Sequence, residues 1–68
     1  MKFNIDGKIM DVPRAAYVKA KTKQLREFGY PSLSESEVDA QIDALIQGKQ
    51  LSDGLTVIGK FMEREILK

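Results

Sequence analysis

Lys19, Lys21, Lys23 and Arg26 are the first residues whose types and spacing could do chemistry. On a helix, at about 100° per residue, Lys19, Lys23 and Arg26 fall within one narrow arc. Three cations in one row can track a phosphate backbone or meet an acidic partner. Ala16 and Ala20 beside them would let that partner come close. The same row can also be an ordinary solvated face, and it holds no aromatic residue for base stacking. Lys21 points elsewhere. It shares its arc with Tyr17, Val18, Leu25 and Phe28, which reads as the core face. Either its aliphatic stem lies on the core with the ammonium reaching water, or it is a partly desolvated lysine lining a pocket or subunit interface.

Other reactive chemistry is sparse. The chain has no histidine and no cysteine. That removes the commonest general base, the commonest metal ligand, thiolate zinc sites and disulfides together. The five glycines are scattered and form no phosphate loop. Asp53-Gly54 lacks the alternating oxygen ligands and closing glutamate of a calcium loop. A cleft that excludes water is hard to build from 68 residues. The expectation is therefore no catalytic residue, no metal and no cofactor.

The elements that must position the cations are legible from turns and caps. Asp6-Gly7 between two alternating runs predicts a β-hairpin over residues 2–12, because a type I′ turn needs positive φ at both central positions. A two-residue loop sets Ile5 opposite Lys8 and Phe3 opposite Met10, leaving Met1, Phe3, Ile5, Met10 and Val12 on one apolar face. Pro13 suits the first position of a helix over 13–28, which Gly29 stops. Ser34 and Glu37 form a capping box, with Leu33 and Val38 as a hydrophobic staple, and open a second helix over 35–47. Its apolar stripe reads Val38, Ile42, Leu45 and Ile46, and Gly48 ends it. Leu51-Ser52-Asp53-Gly54 reads as a turn. Leu55, Ile58, Phe61, Met62 and Ile66 then fit a third helix over 55–67, although Thr56-Val57-Ile58-Gly59 also suits a short strand. The prediction is one small α+β domain over 1–68, an N-terminal hairpin packed on three short α-helices.

Charge totals are balanced but segregated. Eleven bases against ten acids give a net charge of +1, less basic than a dedicated nucleic-acid binder. Residues 13–28 carry five bases against Glu27, whereas 34–47 carry Glu35, Glu37, Asp39, Asp43 and no base. Two such helices, packed antiparallel, attract one another, each exposed pair contributing about 0–1 kcal/mol. No apolar run approaches the ~20 residues of a membrane span, and Met1 to Asp6 lacks the apolar region of a signal peptide. The expected compartment is the cytoplasm of the producing or host cell.

A DNA-reading helix-turn-helix is disfavoured, because the second helix begins Glu35-Ser36-Glu37, which phosphate repels. The segment Leu25-Arg26-Glu27-Phe28-Gly29-Tyr30, followed by two more helices, resembles the first helix and loop of ubiquitin-associated three-helix domains. That resemblance spans six residues and implies no function. The chain is therefore expected to be a small non-catalytic binding protein, a regulator or inhibitor docking on another protein, of the kind frequent in phages and mobile elements. Tyr17, Tyr30, Val57 and Leu67 are its candidate docking or self-association residues, with a two-fold dimer the simplest oligomer. The alternatives are an oligomer binding nucleic acid or a nucleotide through Lys19, Lys23 and Arg26, with Lys21 and Tyr17 at a shared pocket, and a structural protein assembled through the hairpin edge.

Overall fold

Both turn residues of the N-terminal hairpin have positive φ, Asp6 at 51° and Gly7 at 85°. This is the type I′ geometry that the Asp-Gly pair favours. The turn joins β1 (Lys2–Ile5) to β2 (Lys8–Asp11), antiparallel, with Ile5 opposite Lys8 and Phe3 opposite Met10. In the computed structural model, which describes residues 1–49 and 56–67, three helices follow: α1 (Arg14–Phe28), α2 (Glu35–Gln47) and α3 (Thr56–Glu63). The chain is one small α+β domain. The expected turn at 51–54 and the start of the third helix at Leu55 lie outside the described residues.

Local chemistry accounts for the helix ends. Pro13 sits one position earlier than expected, just before α1, where its carbonyl accepts from Ala16 and Tyr17. Gly29, at φ 142°, closes that helix. Ser34 and Glu37 form the reciprocal capping box of α2, the Glu37 amide reaching Ser34 Oγ at 3.2 Å and the Ser34 amide reaching Glu37 Oε1 at 3.1 Å. Gly48 ends α2 in the left-handed region. Residues 56–59 are helical, not extended.

The core lies between the hairpin's inner face and the three helices. Phe3, Val38, Ile42 and Met62 are wholly buried in it. Phe3 stacks on Tyr17 at 3.9 Å between ring centres.

Several expectations are corrected by tertiary packing. α3 stops at Glu63, short of 67, because the chain turns back to the sheet: the Asn4 amide donates to the Glu65 carbonyl at 2.7 Å and Ile66 pairs with Phe3. That pairing satisfies the outer edge of β1 and buries Ile66. Phe28 leaves the core, 69% exposed. Met1, Met10, Ile46 and Phe61, expected to be inward, are also exposed. On α2 the buried face includes Gln41 and Ala44 in place of Ile46. Gln41 is drawn in by Gly59, whose missing side chain leaves the space its amide fills; a Cβ at Gly59 would overlap Gln41 Nε2 and lie 3.2 Å from its Cδ.

Candidate functional site

One side of α1 carries most of what is chemically unusual. Ala16, Ala20, Gln24 and Phe28 recur every four residues and so form one stripe, and all four are exposed. Beside its N-terminal half the hairpin contributes Ile5, Met10 and Val12, and together they bound a groove of about 470 Å³. Its polar end is Lys21, Gln24 and Glu65. The same three residues, with Phe28 and Phe61, line a second hollow of about 200 Å³. The two hollows thus adjoin at these three residues. Phe28 and Phe61 meet edge to face at 5.7 Å and close the far end.

The polar centre is tightly tied. Lys21 is only 8% exposed. Its ammonium pairs with Glu65 Oε1 at 2.5 Å and donates to Gln24 Oε1 at 2.7 Å. Tyr17 donates its hydroxyl to the same Glu65 oxygen at 2.8 Å. Burial, reinforced by that hydrogen bond, pushes the Tyr17 hydroxyl well above the ordinary tyrosine range. Of the two readings of Lys21, the stem does lie on the core, but the head is paired inside a groove wall instead of reaching into water. Glu65, which carries no singular sequence signal, is the residue that sequence reasoning missed. It becomes visible only once residues 65–67 fold back onto β1.

Lys19, Lys23 and Arg26 stand on the other flank of Ala16 and Ala20, around a shallow depression of about 520 Å³ that Glu35 also lines. The four candidate cations are therefore divided, three on this open flank and Lys21 across the alanine ridge. Arg26 spends one N–H on the Leu33 carbonyl at 2.6 Å. Lys19 and Lys23 are exposed and make no ion pair among the described residues. The attraction between α1 and α2 passes instead through Arg14, which reaches Asp39 at 2.7 Å and Asp43 at 2.9 Å. Hydrogen bonds to Asp43 and Asp39 raise the Arg14 guanidinium further, and the bond from Arg14 lowers the Asp43 carboxyl.

The four candidate docking residues are not gathered into one surface. Tyr17 is a core residue; only its polar end belongs to the groove. Tyr30 is half-buried against the core. Val57 and Leu67 are exposed but line neither hollow along α1. Phe28 and Phe61 supply the aromatic surface in their place. They were missed because helical spacing put both in the core.

No candidate metal cluster occurs among the described residues, and none of the described helices is long and apolar enough to cross a membrane. No family model, no curated protein and no solved structure matches the chain.

Proposed function

We propose that this chain is a non-catalytic binding protein, a regulator or inhibitor that docks on another protein through the exposed side of α1. The carrying observation is the Phe28–Phe61 pair at the end of the groove, with Phe28 69% exposed. Exposed aromatic rings beside a hollow with a few fixed polar groups are the usual make-up of a docking surface. A small chain gains nothing in folding from leaving it in water. The buried Lys21 is held by Glu65 and Gln24, which suits a fixed wall better than a reacting group.

The test is photo-crosslinking from position 24, on the same stripe, comparing the natural chain with Phe28→Ser/Phe61→Ser. A protease-sensitive, nuclease-resistant adduct that the double variant loses supports docking on protein. The second reading, a nucleic-acid or nucleotide site, is favoured by the exposed Lys19 and Lys23 beside Arg26. It predicts nuclease-sensitive adducts, steep loss of binding with salt, and abolition by Lys23→Glu.

A further inference from the structure

Among the described residues, the hairpin has one closed edge and one open edge. The Val12 amide donates to the Met1 carbonyl at 3.0 Å. Because paired positions alternate along an antiparallel ladder, Lys8, Met10 and Val12 turn their backbone groups toward β1. Ile9 and Asp11 then turn theirs away from it. On β1 the same alternation aims Lys2 and Asn4 outward, and residues 65–67 satisfy them: the Leu67 amide reaches the Lys2 carbonyl at 3.4 Å, and Asn4 donates to Glu65. Nothing among the described residues does this for β2. All four of its residues are exposed, Ile9 by 69%.

A strand added to β2 would lie about 4.8 Å beyond it. That places it above the groove floor, where Ala16 and Ala20 offer no bulk. Beyond the alanines stand Lys19, Lys23 and Arg26. We propose that β2 accepts an extended acidic segment of a partner protein as a further strand, its inward side chains seated on Ala16 and Ala20 and its carboxylates meeting Lys19, Lys23 and Arg26. This rests on the docking reading above and adds the mode of recognition and the partner's chemistry.

Charge selects this occupant over a second copy. A two-fold pairing of β2 with β2 sets both α1 helices under one continued sheet, with their open flanks facing. Lys19, Lys23 and Arg26 of the two copies would then share one seam, and like charges in juxtaposition oppose association. An acidic strand neutralises the same residues.

The probe is a displayed library of random linear peptides, selected against the full chain, with hits mapped by amide chemical shifts. The expected hits are extended, rich in Asp and Glu, and perturb Ile9, Asp11, Ala16 and Ala20. A synthetic hit N-methylated at the residues whose amides face β2 should bind about tenfold more weakly, the loss expected for one or two missing hydrogen bonds, whereas methylation at the alternate residues should be tolerated. Lys19→Glu/Lys23→Glu, at two exposed positions, should fold normally and weaken the hit by about tenfold. Hits without acidic residues, or hits confined to Phe28 and Phe61, overturn strand addition while leaving protein docking intact. Failure of the library to yield any hit, with nuclease-sensitive partners crosslinked at position 24, overturns both. Concentration-dependent dimerisation that protects the Ile9 and Asp11 amides replaces the acidic strand with a second copy.

Discussion

Lys21 and Glu65, 44 positions apart in sequence, meet at 2.5 Å in the wall of the α1 groove. The lysine is nearly enclosed, and the glutamate side chain keeps 20% of its exposure. The pair fastens the chain after α3 to the middle of α1, and Tyr17 adds a second bond to the same oxygen. Removing one partner from such a pair leaves a desolvated charge, which costs far more than the intact pair contributes.

Lys21→Met and Glu65→Gln should each therefore destabilise the fold, by about 1–3 kcal/mol given the glutamate's residual exposure. The double variant should cost clearly less than their sum, with a coupling of about 1–2 kcal/mol. Urea titrations of the four proteins measure it. Strict additivity would mean that the two residues do not interact in solution.

Tyr17 links the same cluster to alkaline pH. Its hydroxyl is raised above the ordinary value of 10.0, chiefly by burial. The unfolded chain therefore releases that proton first as pH rises. The contribution is complete below pH 10 and is lost progressively above it. Urea midpoints measured between pH 9 and 11 should fall more steeply for the natural chain than for Tyr17→Phe. Parallel slopes would show that the hydroxyl is not held in the folded state.

Asp43 gives the acid limb. The hydrogen bond from Arg14 lowers its carboxyl below the ordinary 3.8. Its contribution is thus present above that value and disappears as pH falls through the lowered one. Asp43→Asn should flatten this part of the stability profile, and salt should do the same, since the carboxylate is exposed. Thermal melts at pH 3 and pH 6 compare the two proteins; an unchanged profile would detach Asp43 from Arg14.

The parts of this fold legible in sequence are those decided locally. Asp6-Gly7 needs only its own φ angles, and Ser34 with Glu37 needs only one helical turn. Lys21 was legible as an anomaly on an apolar arc, although its partner was not. Ile66 fits helical spacing, yet the unpaired edge of β1 recruits it, and nothing near Ile66 encodes that demand. Gln41 is likewise buried by a demand set outside its own helix, the space left at Gly59, while Phe28 is left exposed. Apolar period predicts which residue can be buried, whereas the neighbouring helix decides which one is.

Gly59 and Gln41 allow a test of that tertiary decision. Alanine at 59 should gain about 1 kcal/mol in helix propensity. It must also displace a buried amide, since the new Cβ overlaps Gln41 Nε2. The atom in the way is the far end of a flexible side chain, so the amide swings aside at a cost that offsets most of that gain, and Gly59→Ala should change stability by less than about 1 kcal/mol. In a Gln41→Ala background the obstacle is gone and the same change should stabilise. Equal effects in both backgrounds, read from denaturant midpoints, would place Gln41 away from α3.

The phenylalanines separate folding from docking most cleanly. Phe3 is wholly buried, and Phe3→Ala should cost about 3–5 kcal/mol. Phe28 and Phe61 meet edge to face, and such a pair adds about 0.5–1.5 kcal/mol. Phe28→Ser should therefore shift stability by less than ~1 kcal/mol, because Phe28 is 69% exposed, and Phe61→Ser, at 46% exposure, by about 1–2 kcal/mol. Helical spacing alone would assign all three rings the core penalty. Urea midpoints that fall as far for Phe28→Ser as for Phe3→Ala would return Phe28 to the core and remove the aromatic end of the docking surface. A nearly unchanged Phe28→Ser midpoint together with lost crosslinking at position 24 would show that the chain carries this ring for a partner.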